Sequence, residues 1–318
     1  MRFKVSTVPL SAINIDDRIF LITTDTSYDD LAVSIKSVGL MNPPFLIHKA
    51  SGYRIVTGFR RINTCHSLGW PDIDAKVLKP DTPELECAKL AVSDNSFQRP
   101  LNLIETSRSI SLIRSLIEED EIFMKTAIQL GLPNNLAVLK KMEILCHLPW
   151  SIQQGVLSES ISLAMALDLR ELKNDAGRIF AEIFGTFMLS LNKQREILTL
   201  AQEIAVREDI SIRELLEKKE IKHIIGTDDL DRTQKTRNLR LYLKRRRFPE
   251  LIKAEKNFES GLKALKLGPG VQLNPPKYFE GKTYILNLSF DNLTELEDRK
   301  KTLEKMLKDP NLEAVLKE

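Results

Sequence analysis

Tyr53-Arg54-Ile55-Val56-Thr57-Gly58-Phe59-Arg60-Arg61 is the stretch on which the fold of this chain turns. Tyr53 to Val56 alternates as a strand returning from the Ser51-Gly52 turn, and Gly58 breaks it. A helix follows from about Arg60 to Leu68 and stops at Gly69. A strand that feeds a helix through a glycine is a recipe for holding an anion. The helix start offers unpaired N–H groups and about half a positive charge. Gly58 admits a close backbone approach, and Arg60 and Arg61 add charge-assisted hydrogen bonds to phosphate or carboxylate oxygens. Taken alone, the same Arg-Arg pair also describes a solvated helix face.

Outward from this stretch the pattern is mixed. Val8 to Ile15 reads as a short strand entering a loop. Asp29 to Val38 is a helix, with Leu31, Ile35 and Val38 at helical spacing and Gly39 as its stop. Phe45-Leu46-Ile47 and Ile73 to Leu78 are strands. From Pro83 to about residue 225 the periodicity is almost wholly helical, with helices over 84–94 and 104–118 around a polar break at Asn95 to Pro100. Ile122 to Leu130, the turn Gly131-Leu132-Pro133 and Asn134 to Leu145 have the form of a helix-turn-helix. In it Ala127 sits where the helices cross, and Leu132, Val138 and Leu145 pin the second helix. Asn134, Asn135, Lys140 and Lys141 are its exposed polar residues; Asn suits adenine edges and Lys suits guanine or phosphate. The same form also describes plain helix packing.

Arg232 to Arg247 carries eight Lys or Arg residues and no acid, ending in Lys244-Arg245-Arg246-Arg247. It reads either as a sequence-independent phosphate contact or as a solvated helix between domains. Leu239, Leu241 and Leu243 make no clean helical stripe. Beyond Pro249 come a helix to about Lys266, a turn at Gly268-Pro269-Gly270, a strand from Tyr284 to Phe290 and a helix over 292–308. The expected class is α+β, with an α/β domain over 1–100 and a helical domain over 101–230 whose helix-turn-helix spans 122–145. A basic linker over 231–249 then leads to a small α/β unit over 250–318.

With 42% hydrophobic and 29% charged residues the chain reads as an ordinary globular protein. Its net charge of +3 means that nucleic-acid affinity must come from where the cations sit. No run approaches the roughly 18 apolar residues of a membrane span, and no signal peptide is visible, so a cytoplasmic location without membrane contact is expected. Three widely spaced cysteines and four scattered histidines argue against a disulfide scaffold or a structural zinc site. Cys65 and His66 are adjacent and would point about 100° apart on a helix, so they are no nucleophile–base pair; Cys65 reads as a packing residue.

Several segments in series resemble the ParB/sulfiredoxin-like N-terminal domain of partition proteins. They are Ser34 to Pro44, the strand pair, Gly58-Phe59-Arg60-Arg61, Leu68-Gly69, then Ala91 to Asn95 with Arg99, Leu101-Asn102 and Glu105. The helix-turn-helix follows at the family's usual distance, and Leu145 to Pro149 and the pair Val156 to Leu167 keep the family's order. The resemblance implies a nucleotide, CTP or another NTP, bound with Mg. Gly58, Arg60 and Arg61 would then cradle phosphates, Arg99 would reach a phosphate, and Gly39, Leu40 and Pro43 would belong to the base-facing turn. Asp94 and Asn95 would stand on the magnesium side, as hard oxygen donors suit that ion. DNA-contacting residues would be Asn134, Asn135, Lys140 and Lys141, supplemented by Lys244, Arg245, Arg246 and Arg247. The family also implies a nucleoid-associated homodimer, a partner ATPase of partition, and a role in partition or transcriptional regulation. The chain departs from the family where Gly-Glu-Arg-Arg becomes Gly-Phe-Arg-Arg: Phe59 supplies no carboxylate. It also lacks the Gln-Pro-Arg of the early loop, and Asp94-Asn95 lies one residue farther from Arg99. Nucleotide hydrolysis is therefore left open beside two alternatives: a small-molecule kinase of the free-serine type and a non-catalytic adaptor.

Overall fold

Apolar alternation builds the sheet that carries the site. In the computed structural model, which describes residues 2–316, β1 (Phe3–Pro9), β2 (Ile13–Asn14), β3 (Phe45–Lys49), β4 (Gly52–Ile55) and β5 (Asp72–Leu78) form one mixed sheet. Its order is β1-β5-β3-β4-β2. β3 and β4 make a hairpin turning at Ala50-Ser51, with Leu46 opposite Ile55. β3 runs parallel to β5, and β1 pairs antiparallel with β5 from Phe3–Leu78 to Pro9–Asp72. The central strand buries the successive residues Leu46 and Ile47, so the sheet is covered on both faces there.

The helices follow from their apolar stripes. α1 (Asp29–Val38) and α2 (Phe59–Ser67) flank the sheet. α2 buries Phe59, Ile62 and Cys65, one face at three-residue spacing, and each large apolar side chain so buried contributes roughly 1.5–3 kcal/mol. α3 (Glu84–Ser96) and α4 (Leu103–Arg114) come next. α4 starts in a capping box: Asn102 Oδ1 accepts from the Glu105 N–H, and the Asn102 N–H donates to the Glu105 carboxylate. α5 (Asp120–Gln129), α6 (Leu136–Glu143), α7 (Trp150–Leu157), α8 (Leu163–Arg170) and α9 (Ala176–Phe187) pack as short helices, and α10 (Leu191–Glu208) follows.

The chain divides into two compact units, 1–194 and 195–318, and the division falls inside α10. The second unit continues with α11 (Ile212–Leu216), α12 (Lys219–Gly226), α13 (Arg232–Arg247) and α14 (Pro249–Leu265). It ends with the two-stranded sheet β6 (Val271–Asn274) and β7 (Ile285–Leu288), then α15 (Leu293–Leu307) and α16 (Pro310–Leu316). Phe258, Leu265, Leu273, Met306 and Leu312 form a small core there. Among the described residues no helix is long and apolar enough to cross a membrane.

Three expectations change in the structure. The segment expected as a basic linker is α13, a packed helix capped by Asp231 and Gln234, with Leu239 and Leu243 buried at i and i+4. The helix after the Gly131 turn is two turns long and starts at Leu136, because Asn135 caps it by accepting from the Val138 N–H. That start sets its phase, so Leu139 and Met142 are buried and Val138 is exposed. The third change is the strand β6, which the sequence left unassigned: four residues after Gly270 that exist as a strand because β7 pairs with them, Leu273 opposite Leu286.

Candidate functional site

Where β4 gives way to α2, Gly58 takes the left-handed conformation, φ 84° and ψ 26°. A Cβ there would stand 2.7 Å from the Pro44 Cβ and 3.1 Å from the Arg61 guanidinium. Both the backbone sign and the space therefore call for glycine. The consequence is a helix start open to one side, where a cavity of about 410 Å³ lies. That volume falls within the range of small-molecule sites. Gly58, Arg60 and Arg61 line it together with Asp94, Asn95 and Arg99. Residues about 40 positions apart in the chain thus meet around one space. Gly39, Leu40 and Pro43 stand outside its lining, which touches their turn through Asn42. The apolar wall comes from Phe20, Ile22, Leu31, Val56 and Phe59.

Each cavity arginine meets one protein carboxylate. Arg60 pairs with Asp25 at 2.9 Å and donates to the Ser27 carbonyl at 2.8 Å. Arg61 pairs with Asp94 at 3.0 Å and donates to the Asn42 carbonyl at 2.6 Å. Arg99 makes a bidentate contact with Glu105, at 2.6 and 2.7 Å. The three pairs differ in depth. Glu105 is fully buried, and its carboxylate also accepts from the Thr24 N–H at 2.9 Å and the Asn102 N–H at 3.2 Å. Burial pushes this carboxyl up, but Arg99 and the two backbone donors outweigh burial and hold it below the ordinary value. Asp25 sits lower than usual because the Ser27 N–H bonds it, against burial, with the Ser27 hydroxyl and Arg60 adding to the effect.

α4 anchors the loop over the cavity at a second point. Arg108 donates to the Thr23 carbonyl at 2.7 Å, and Asn102 donates to the Thr24 hydroxyl at 2.7 Å. Burial lowers the Arg108 guanidinium from its ordinary value. The other side of α4 supports the segment after α6. Ser107 Oγ donates to the Glu143 carbonyl at 3.1 Å and accepts from the Cys146 N–H at 2.8 Å, and Ser111 meets His147 at 2.9 Å. One helix therefore touches both the cavity loop and the α6 end.

Residues 3–95 match the ParB N-terminal domain family. The chain carries a ParB N-terminal domain. Over 152 residues it is 26% identical to a nucleoid occlusion protein of Halalkalibacterium halodurans, an alignment covering 48% of this chain and 52% of that one. Over 139 residues it is 25% identical to a probable chromosome-partitioning protein ParB of Helicobacter pylori, covering 44% and 46%. The chain thus spans about half the length of the relatives it matches. A crystal structure of the C-terminally truncated chromosome-partitioning protein ParB from Caulobacter crescentus complexed with CTP-γ-S is 18% identical, with a TM-score of 0.26; the match covers 57% of this chain and 98% of that one. A Pnob8-like ParB-N domain is 16% identical, with a TM-score of 0.40, covering 76% and 98%.

The ParB N-terminal domain offers a magnesium ion little on its own. Asp94 is engaged by Arg61 and by Gln98 at 3.3 Å, and the Asn95 amide donates to the Ala91 carbonyl at 2.8 Å. Among the described residues no group of three or more His, Cys, Asp or Glu gathers for a metal. One carboxylate and one amide oxygen fit an ion that keeps its waters and takes its remaining ligands from phosphate, the habit of Mg. Cys65 packs in the core on the buried face of α2, where burial pushes its thiol up.

The other predicted contacts lie elsewhere. Asn134 and Lys141 are exposed, Asn135 is used as a cap, and Lys140 pairs with Asp120 at 3.1 Å. On α13, Arg240 and Lys244 pair with Glu196, Arg246 with Glu208 and Arg247 with Glu203. Arg245 is exposed and has no ion-pair partner among the described residues. Asp25, Ser27 and Asn42 were missed by sequence reasoning. No local pattern marks them, since each acts on an arginine 19 to 35 residues away, two of them through main-chain carbonyls.

Proposed function

We propose that this protein is a ParB-like DNA-binding protein of chromosome partition or nucleoid occlusion whose N-terminal domain binds a nucleoside triphosphate with Mg. The observation that carries the reading is the convergence of Arg60, Arg61 and Arg99 with the Gly58 helix start on one cavity. In it Arg60 and Arg61 hold the outer phosphates, the Gly58 turn leaves the α2 N–H groups facing them, and Arg99 reaches the far end. Asp94 and Asn95 would hold the ion together with phosphate oxygens; the ion, when bound, neutralises phosphate charge. The turn Gly39 to Pro43 takes the base side. The nucleotide is CTP by the resemblance of these segments to partition proteins.

The pair α5–α6 serves as the helix-turn-helix, with Asn134 and Lys141 toward DNA, and Arg245 adds a phosphate contact. The α4 bridge between the cavity loop and the α6 end supports linkage: a ligand that moves the loop changes the placing of α6, and DNA acts in return. The protein acts at the nucleoid as a homodimer, with a partition ATPase as partner. A phosphotransferase reading is weaker. Phosphoryl transfer to a hydroxyl wants a carboxylate base, and the carboxylate on the cavity wall, Asp94, is held by Arg61.

Calorimetric titration of CTP, ATP and GTP with Mg into the wild type and Arg61→Ala tests the site. Binding of CTP by the wild type and a loss of tenfold or more in the variant are expected, since a charge-assisted contact of about 1.5–3 kcal/mol is removed. Absence of binding by the wild type for all three nucleotides would sink the reading.

A further inference from the structure

Asp25 is built as an arginine clamp. One of its carboxylate oxygens accepts from both the N–H and the hydroxyl of Ser27, each at 2.9 Å, which fixes the side chain in a tight turn. Its other oxygen faces Arg60 at 2.9 Å. Arg60 is drawn onto the loop from a second direction by the Ser27 carbonyl, and its Nε is buried without a hydrogen-bond partner. A buried donor left unpaired marks a guanidinium that is not in its best-satisfied position. Arg60 lines the main cavity and also a smaller one of about 160 Å³, which Asp25, Tyr28 and Asn63 share.

The three arginine pairs are unequal. Glu105 is fully buried with backbone donors, and Arg61 and Asp94 are 18% and 25% exposed. Arg60 and Asp25 are 33% and 39% exposed. Arg99 is itself 45% exposed, but its carboxylate partner is buried. In the Arg60–Asp25 pair both partners are about a third exposed or more, which makes it the easiest of the three to exchange. We propose that Asp25 is a built-in competitor for the phosphate site: its carboxylate holds Arg60 on the Thr23–Tyr28 loop, and a bound polyphosphate takes the guanidinium from it. The loop is tied to α4 at Thr23 and Thr24, so release at Asp25 frees its far half while its near half stays anchored. The inference rests on the cavity being a phosphate site. It adds that affinity there is set below what the three arginines could give.

Asp25→Asn removes the charge while its amide oxygen can still accept from Ser27, so the turn is kept. Inorganic tripolyphosphate with Mg is titrated into the full chain as wild type, Asp25→Asn, Asp25→Ala and Asp30→Asn, the last a charge-matched control on the exposed start of α1. Both Asp25 variants are expected to bind about two- to five-fold tighter than the wild type, the worth of a half-exposed ion pair. Asp30→Asn should move affinity by well under half of that. Equal gains in Asp25→Asn and Asp30→Asn, or no gain at Asp25, would overturn the competitor while leaving the phosphate site intact. If the wild type and all variants ignore tripolyphosphate, the phosphate site itself falls and the competitor with it.

Discussion

The cavity and helix α13 are the two arginine-rich regions of this chain, and in sequence they look alike. In the structure both are balanced by acids, but differently. The cavity arginines, two from the first turn of α2 and one from the bend after α3, converge on a concave space that all three line. The α13 cations at 240, 244 and 247 fall at i, i+4 and i+7 and lie along Glu196 and Glu203 of α10. Arg246 adds Glu208, and Arg207 donates to the Arg246 and Arg247 carbonyls. A basic run is thus a helix-packing device in one region, whereas in the other the same residue type makes a site. What separates the two is whether the carboxylates leave a space between the guanidinium groups or fill it. A count of charges along the chain cannot tell these apart.

The deepest pair gives the sharpest test. Glu105→Ala strips a buried carboxylate from Arg99, Thr24 and Asn102 at once. Unit 1 should lose about 2–3 kcal/mol in denaturant unfolding, less than a fully buried pair because Arg99 remains half exposed. A loss under about half a kcal/mol would make this pair no different from a surface one. The same residue has a pH signature. Its folded pKa lies below the ordinary 4.5, so its contribution is complete above that value and disappears as the pH falls through the lowered native value. The wild type should therefore lose stability on acidification more steeply than Glu105→Gln, measured by urea midpoints between about pH 6 and 3.

These residues also show where sequence reading stops. Asp29 to Val38 was legible end to end because Leu31, Ile35 and Val38 mark one face and Gly39 ends it. The strand-turn-helix at Gly58 was legible because the glycine and the arginines adjoin. Glu105 was visible as part of a family segment but not as the partner of Arg99 and Thr24, and Asp25 was not visible at all. Their roles depend on loop residues brought to helices from 35 to 81 positions away. The phase of α6 was misjudged because the cap is Asn135, one residue beyond the Asn expected to open the helix. α13 was taken as a linker because its acids lie on a different helix.

Arg246→Ala asks whether the α13 pairs are structural. It removes contacts to Glu208 and the Tyr242 hydroxyl, and unit 2 should lose about 1–2 kcal/mol, as for a hydrogen-bonded charge about four-fifths buried. Its effect on the salt dependence of DNA binding should be near zero, because the charge it deletes is already answered by Glu208. A drop in stability together with a changed salt dependence would mean that the cation serves both purposes.

The smallest effect is expected at Arg245, and it decides the comparison from the other side. Arg245 follows Lys244 on the helix and is exposed like it, but has no ion-pair partner among the described residues, whereas Lys244 pairs with Glu196. Arg245→Ala should leave stability unchanged within about 0.5 kcal/mol, the usual range for a surface substitution. If α13 contacts DNA phosphate at all, the slope of log K against log salt should become shallower by about 0.9, the share of one phosphate contact. Neighbouring cations would then divide their labour by what their carboxylates leave over, Arg246 holding α10 and Arg245 meeting DNA. An unchanged slope for Arg245→Ala would assign the whole basic run to packing and leave phosphate attraction to α6 and its surroundings.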